Sequence, residues 1–399
     1  MITVAQAEKI ISAAARPFPA VSCRFEKAAG RILRENIVAD RDHPAADRSS
    51  MDGIAVAFKQ WQKGTWRFKR TGVQKAGIPA LSLKRGAVCA EIMTGGLMPR
   101  GADSVIPVED ILWEKNIATV RSRVVVKHGQ YVRRRGQDYR RGKVLLKKGA
   151  RLTPPHVAIA AAAGRPVLKV AATPRVAVIG TGDELVAVSG RINPHQVRPS
   201  NAYAVRAALL ARGFDRVTCY QLRDRESEIL RRLRIILKAH DVIVLSGGVS
   251  MGKLDLIPGA LAKMKVRVLF HKVMQKPGKP FWFGVTGDKK AIFALPGNPV
   301  STQVCACRYV IPFLEKASGS VERPVYIRLA RAFALKEKKT FFLPVTVQGN
   351  AKGQRRAVPA DFRMSGNFSA LAGTDGFVEL PKGPRVYKAG FAARFFSWS

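Results

Sequence analysis

The spacing of apolar and polar residues divides the chain into segments of different predicted secondary structure. Residues 3–16 carry apolar positions at helical spacing and predict an amphipathic helix that ends at Arg16 and Pro17. A second helix is predicted from residue 22 to about residue 38. Between residues 66 and 132, short apolar runs separated by Gly, Pro and Asn predict a small β-rich domain.

From residue 174 onward the pattern changes to strands that alternate with helices. Strands are predicted at 175–180, 216–222 and 241–245, and helices at 200–212 and 225–239. This alternation is typical of βαβ units and a mostly parallel sheet. After residue 312 the runs are β-like again, which predicts a small all-β module. The pattern therefore predicts a multidomain chain of α/β plus β class.

Composition and charge limit the possible function classes. The chain has 399 residues, of which 47% are hydrophobic and 24% charged, so we expect two to four globular domains. Its 69 basic and 28 acidic residues give a net charge of +41, which attracts phosphates, oxyanions, nucleic acid or anionic membranes. Nucleic-acid binding is disfavoured, because aromatic residues are only 8% and do not interleave with the basic ones.

The cysteines and the N-terminal residues indicate in which cellular compartment the protein is expected. Five scattered cysteines without a C-x-x-C motif are typical of reduced thiols in the cytoplasm. The first residues lack the unbroken apolar region of a signal peptide, and no apolar run reaches the ~18 residues of a membrane span. We therefore expect a cytoplasmic protein that does not bind a membrane.

Three glycine-rich turns follow predicted strands, at residues 180–184, 246–252 and 295–301. Ligands of parallel sheets bind where the carboxyl ends of the strands meet, and glycine lets backbone N–H groups approach a phosphate. Lys276 and Lys279 flank a stiff Pro-Gly pair and can neutralise an anion. The alternatives are purely structural turns and solvated lysines.

Four carboxylates lie in or near loops and are candidate Mg²⁺ ligands, because Mg²⁺ prefers oxygen donors and bridges to substrate phosphates. They are Asp52, Glu184, Asp224 and Asp255. For any one of them alone, an ion pair with a neighbouring Arg is the alternative.

Several motifs together resemble one known family, the MoeA family of molybdopterin molybdenumtransferases, which includes the E-domain of gephyrin. The motifs occur in the same order as in the family, and they are S-S-M-D-G-I-A at 49–55, M-T-G-G at 93–96, P-R-G-A-D-S-V-I-P-V-E-D at 99–110, G-Q-D at 136–138, T-G-D-E-L at 181–185, S-G-G-V-S at 246–250, K-P-G-K-P at 276–280 and L-P-G-N-P-V-S at 295–301.

The resemblance implies a homodimer of four-domain chains. It implies a discontinuous linker domain at 1–44 and 141–173, a β-rich domain at 45–140, a MogA-like molybdopterin-binding α/β domain at 174–322 and a C-terminal β-barrel at 323–399. The site would lie between the α/β domain of one subunit and the β-rich domain of the other.

The resemblance also implies a reaction: adenylylated molybdopterin and molybdate react with Mg²⁺ present, molybdenum enters the dithiolene and AMP is released. The catalytic positions that match are Asp52, Thr94, Asp138, Glu184, Asp224, Lys276 and Lys279. The binding positions are Gly247, Gly248, Ser250, Pro296, Gly297, Asn298, Pro299 and Ser301, and the metal positions are Asp52, Glu184 and Asp255. Expected partners are a MogA-type adenylyltransferase and acceptor molybdoenzymes.

One departure from the family pattern keeps a second hypothesis open. Pro344 stands in a predicted strand where family members carry an Arg associated with molybdate, and Arg355, Arg356 or Arg363 are candidate substitutes. A protein that lost this Arg could be a non-catalytic molybdopterin-binding or scaffold member of the same fold. AMP release by the purified protein distinguishes the two hypotheses.

Overall fold

The structure is a computed structural model that describes residues 1–248, 256–321, 324–335, 338–349, 353–360, 368–383 and 386–398. Within these residues the α-helices are α1 Val4–Ala14, α2 Phe58–Gln62, α3 Pro154–Ala162, α4 Ser200–Ala211, α5 Glu226–Ala239, α6 Leu256–Lys263, α7 Pro299–Cys305 and α8 Ile311–Ser318. The strands are β1 Ala20–Arg24, β2 Ile37–Val38, β3 Arg48–Ser49, β4 Gly53–Val56, β5 Arg67–Gln74, β6 Val88–Ile92, β7 Ser104–Pro107, β8 Ile111–Glu114, β9 Ile117–Val120, β10 Val132–Arg133, β11 Val144–Leu146, β12 Val167–Ala171, β13 Val176–Thr181, β14 Val217–Leu222, β15 Val242–Ser246, β16 Arg267–His271, β17 Gln275–Lys276, β18 Trp282–Val285, β19 Ala291–Leu295, β20 Val325–Leu329, β21 Phe333–Ala334, β22 Thr340–Gly349, β23 Arg355–Pro359, β24 Gly376–Leu380, β25 Val386–Tyr387 and β26 Ala392–Ser397. No helix among the described residues combines the length and the apolar character that a bilayer crossing needs.

The chain forms two compact units. The smaller unit comprises residues 36–147 and 155–166, and the larger unit comprises residues 1–35, 148–154 and 167–399. The smaller unit contains a six-stranded sheet in the order β7-β4-β6-β5-β9-β8, so the predicted β-rich segment is confirmed. Gly53 is required where β4 pairs with β7, because a Cβ there would lie 1.9 Å from the carbonyl oxygen of Ile106.

A six-stranded sheet in the order β14-β13-β15-β19-β18-β16 forms the centre of the larger unit. Its first four strands are parallel, and only β18 runs antiparallel to its two neighbours, β19 and β16, which confirms the predicted mostly parallel sheet. Strands β13, β15 and β19 are buried along their whole length, since separate apolar cores cover the two faces of the sheet. This burial explains their unbroken apolar sequences.

The C-terminal strands of the larger unit close into a five-stranded barrel. Strands β22, β23, β20, β26 and β24 pair in that order, and β24 pairs back onto β22. Closure leaves no open edge between these strands. The predicted C-terminal β-barrel is confirmed.

The helix predicted for residues 22–38 is wrong. The structure has strand β1 there, followed by a 3₁₀ turn at Phe25–Lys27 and the short strand β2. Strand β1 pairs antiparallel with β12, and Cys23 lies opposite Leu168. The partner strand is about 145 residues away along the chain. Local periodicity therefore contains no sign of this pairing.

Candidate functional site

A cavity of about 560 Å³ opens at the carboxyl ends of β13 and β15 in the larger unit. It is the place where a parallel α/β sheet is expected to bind a ligand. Its lining includes the polar residues Thr181, Glu184, Asn201 and Ser246, the glycines Gly247 and Gly297, and Pro299. The structure thus brings together residues of all three predicted Gly-rich turns and adds Asn201 from α4.

The turn after β15 can be built only with glycine. Gly247 has φ +102°, and a Cβ there would lie 2.7 Å from the carbonyl oxygen of Thr181 and 2.9 Å from its Oγ1. Gly248 has φ +64°, and its Cβ would lie 2.9 Å from Cγ1 of Ile257. The turn packs against β13 with no room for a side chain. Both glycines therefore shape the cavity, whichever ligand it binds.

Asn201 ties two of the three Gly-rich turns together. Its Nδ2 donates hydrogen bonds to Ser246 Oγ at 2.9 Å and to the carbonyl oxygen of Gly297 at 2.7 Å. Within the turn at 295–301, which contains Gly297, Asn298 caps α7 by accepting a hydrogen bond from the Ser301 backbone N–H at 3.3 Å. Thr302 Oγ1 donates to the carbonyl oxygen of Pro296 at 2.6 Å. These bonds hold the turns in one arrangement.

Two polar atoms beside this cavity lack hydrogen bonds. Across the described part of the chain, neither Thr181 Oγ1 nor Asn201 Oδ1 has a partner, although both atoms are buried. Such atoms are rare in folded proteins and indicate a missing ligand or water. The cavity therefore has unused capacity to bind a polar group.

The acidic residues predicted near this cavity are Glu184, Asp224 and Asp255, of which the structure describes the first two. The Glu184 carboxylate folds back over Gly182, where a Cβ would lie 2.3 Å from Oε2. The Asp224 backbone N–H donates to Asp183 Oδ1 at 3.2 Å. Ser250 and Asp255 lie outside the described residues. Among the residues that are described, no group of three or more His, Cys, Asp or Glu side chains forms a metal site.

Lys276 and Lys279 are exposed, and neither lines the cavity. The buried side chain of Gln275 stabilises their loop, because its Nε2 donates a hydrogen bond to the carbonyl oxygen of Gly278 at 3.0 Å. The hydroxyl of Tyr309 donates to Gln275 Oε1. The loop backbone is therefore fixed while the two ammonium groups extend from it.

In the smaller unit the structure brings Asp52 and Thr94 together. Asp52 Oδ1 accepts hydrogen bonds from the Thr94 backbone N–H at 2.6 Å and from Thr94 Oγ1 at 2.7 Å. These two bonds hold the pKa of Asp52 below its ordinary value, so the carboxylate stays charged. Asp138 has other partners, because it accepts from Arg133 Nη2 and lies 3.6 Å from His43 Nε2.

The C-terminal candidates lie on the barrel strands. Pro344 is buried within β22, opposite Phe377 of β24. Arg355 and Arg356 belong to β23, where Arg355 is exposed and Arg356 half-buried. Arg363 lies outside the described residues. Because Pro344 is enclosed in the barrel wall, restoring an Arg at this position would require burying a charge.

The sequence patterns did not identify Asn201 and Thr302 as members of the site. Asn201 lies in the first turn of α4, and only its hydrogen bond to Gly297, 96 residues away, reveals its role. No local pattern signals such a bond.

Comparisons with known proteins agree with this architecture. Residues 2–164 match the model of the MoeA N-terminal region (domain I and II), residues 177–316 that of a probable molybdopterin binding domain, and residues 326–395 that of the MoeA C-terminal region (domain IV). The chain is 37% identical over 399 residues to the molybdopterin molybdenumtransferase of Synechocystis sp., covering all of both chains. It is 31% identical to that of Staphylococcus aureus, over 93% of this chain and 90% of the relative.

A solved structure shows the same fold over the whole length. The MoeA protein of Pyrococcus horikoshii superposes with a TM-score of 0.80 at 28% identity and covers 100% of this chain and 99% of that one. The fold and the site thus define an enzyme of the MoeA type. The chain belongs to the molybdopterin molybdenumtransferases, a family of transferases in molybdenum cofactor biosynthesis.

Proposed function

We propose that this protein inserts molybdenum from molybdate into adenylylated molybdopterin and releases AMP in a Mg²⁺-dependent reaction. The observation that carries the proposal is the cavity at the ends of β13 and β15, with its glycine turn and the two unpartnered polar atoms of Thr181 and Asn201. Glycine turns of this kind accept phosphate groups, and the unpartnered atoms can bind a polar ring or a phosphate ester.

The overall reaction balances without any redox step. Water cleaves the diphosphate bond to give AMP and the phosphate monoester of molybdopterin. The two dithiolene thiols bind molybdenum and lose their protons, and two molybdate oxygens leave as two waters after taking up those protons and two more from solution. Molybdenum stays in the same oxidation state, so no electron donor is needed.

The chain's own residues bind and orient the substrates. Glu184 beside the cavity offers the hard oxygen donors that Mg²⁺ prefers, and we propose that it holds the ion together with Asp255 and, from the partner subunit, the residue equivalent to Asp52. Bound Mg²⁺ would neutralise charge on the diphosphate. Lys276 and Lys279 would neutralise the anionic groups. The loops that carry Asp138 and Asp224 would position these groups.

Replacing Glu184 by Gln should lower AMP release at least ~100-fold, because the amide keeps the size of the side chain but removes its charge. The measurement is AMP formed from adenylylated molybdopterin, molybdate and Mg²⁺ by the purified protein. Glu114→Gln is the matched control, since Glu114 forms an exposed ion pair with Arg67 in the smaller unit. Full activity of Glu184→Gln at saturating Mg²⁺ contradicts the assignment.

We further propose that the protein works as a homodimer in which each site takes residues from both subunits. The Asp52 and Glu184 variants should then complement each other when mixed and allowed to exchange subunits. Half of the dimers become mixed and each has one intact site, so activity should return to about a quarter of wild type. Two inactive parents whose mixture stays inactive, despite exchange shown by mass spectrometry, would contradict a shared site.

A non-catalytic role is the second candidate, and the burial of Pro344 in the barrel wall favours it. If the oxyanion-binding Arg is lost, the protein would bind adenylylated molybdopterin without releasing AMP. We propose a MogA-type adenylyltransferase as the supplier of the substrate in both cases, and an acceptor molybdoenzyme as the recipient of the product in the catalytic one. Tight binding of adenylylated molybdopterin without AMP release would establish the scaffold role.

A further inference from the structure

A second cavity of about 610 Å³ lies in the larger unit, where helix α8 faces strand β26. Its polar wall carries Arg212, Glu315, Lys316 and Arg394. Its volume is within the range of small-molecule sites. None of its described lining residues belongs to the cavity at the ends of β13 and β15, so the two sites are separate.

The guanidinium of Arg212 on this wall has weak partners. Nη1 donates to Glu315 Oε1 and Nη2 donates to the carbonyl oxygen of Ser397, both at 3.5 Å. Nε is buried and has no partner anywhere in the described part of the chain. Ordinary N–H···O bonds are about 2.9–3.0 Å long, and a guanidinium offers five donors. Arg212, which lines the cavity, therefore has unused hydrogen-bonding capacity.

Positive charge exceeds negative charge around the cavity. Arg151 pairs with Glu315 at 3.3 Å, and Arg394 pairs with Glu8 at 2.7 Å. The described lining residues and the ion-pair network that they join contain five basic side chains and three carboxylates, namely Arg151, Arg212, Arg308, Lys316 and Arg394 with Glu8, Glu315 and Glu379. The excess of two positive charges matches a dianion.

Apolar side chains also line the cavity. Ile311, Pro312, Val325, Phe395 and Phe396 line it, and Val325 is exposed. An inorganic oxyanion would leave this surface unused, whereas a ligand with an apolar body would cover it. The combination of cationic and apolar lining residues favours an amphiphilic ligand.

We propose that this cavity binds a small phosphate monoester with an apolar or aromatic body, and that Arg212 is the main donor to its phosphate. The site is independent of the molybdenum-transfer reaction. Its ligand is a dianion, because a monoanion would leave one of the two excess charges uncompensated.

The probe is phenyl phosphate, and its binding to the full-length protein is measured by isothermal titration calorimetry. The buffer contains ~0.15 M salt, because salt screens non-specific attraction to a highly basic surface. We expect saturable binding of one phenyl phosphate that persists in Gly247→Ala. Benzoate and inorganic phosphate should bind more weakly, and neutral benzyl alcohol should not bind.

Arg212→Met should weaken phenyl phosphate binding about 10–100-fold, which corresponds to the loss of one or two charge-assisted hydrogen bonds. Arg206→Met is the matched control, since Arg206 is an exposed Arg on helix α4, which ends directly before Arg212. It removes the same charge outside the cavity and should leave the affinity unchanged.

Arg212→Lys keeps the test decisive if Arg212→Met does not fold. Lysine retains the charge but lacks the planar fork, so binding should fall about three- to tenfold. Wild-type affinity in a folded Arg212 variant overturns the proposal. The absence of saturable phenyl phosphate binding to the wild-type protein also overturns it.

Discussion

Gly247→Ala should lower AMP release about 100-fold and the free energy of unfolding by about 1–3 kcal/mol. The new Cβ would lie 2.7 Å from the Thr181 carbonyl oxygen at a residue with φ +102°, so the turn has to move away from β13. A shift of even ~1 Å in this turn misplaces the groups that face the substrate. AMP release and denaturant unfolding measure the two effects.

Gly259→Ala is the control for the effect of adding a methyl group. Gly259 lies in helix α6, where a Cβ meets open space, so the free energy of unfolding should stay unchanged or rise by up to ~1 kcal/mol. AMP release should equal that of wild type. If Gly247→Ala also retained full activity, the turn after β15 would not belong to the site.

Arg308→Met should lower the free energy of unfolding by about 3–5 kcal/mol, because it leaves carboxylates without their buried partner. The Arg308 side chain is 1% exposed. Its Nη2 donates to Glu8 Oε2 at 2.7 Å and its Nε donates to Glu379 Oε2 at 2.8 Å. These bonds connect α1, the segment before α8 and β24 of the barrel. Chemical denaturation followed by circular dichroism measures the loss.

The pH dependence of this loss has a definite sign. Burial raises the pKa of Glu8, but the hydrogen bonds from Arg308 and Arg394 outweigh burial and hold the pKa below its ordinary value. A lowered carboxyl pKa stabilises the fold above the ordinary pKa, and that contribution is lost as the pH falls through the lowered value. The difference between wild type and Arg308→Met should therefore be largest near neutral pH and shrink in acid.

An exposed ion pair provides the comparison for Arg308. Arg24 lies 2.8 Å from Glu26, but their side chains are 73% and 46% exposed. Arg24→Met should leave the free energy of unfolding almost unchanged, because water solvates both charges. Equal losses for Arg24→Met and Arg308→Met would show that the buried network does not stabilise the fold.

The sequence by itself determined the parts that local chemistry controls. Strands β13 and β15 were predictable because burial on both faces requires unbroken apolar runs, and α1, α4 and α5 were predictable from helical spacing. The glycine turns were predictable because they need a backbone that other residues cannot adopt, as Gly247 shows. The ordered motifs indicated the family, since each places a few chemically demanding residues at fixed spacing.

Only the tertiary structure decided which distant residues meet. Strand β1 exists because its backbone hydrogen bonds go to β12, and the barrel closes because β24 pairs with β22. Arg308 resembles any other Arg in the sequence, yet it is buried between two carboxylates from distant segments. Asn201 likewise meets Gly297 only in the folded chain. Such contacts depend on the free energy of long-range packing, which a local sequence pattern does not contain.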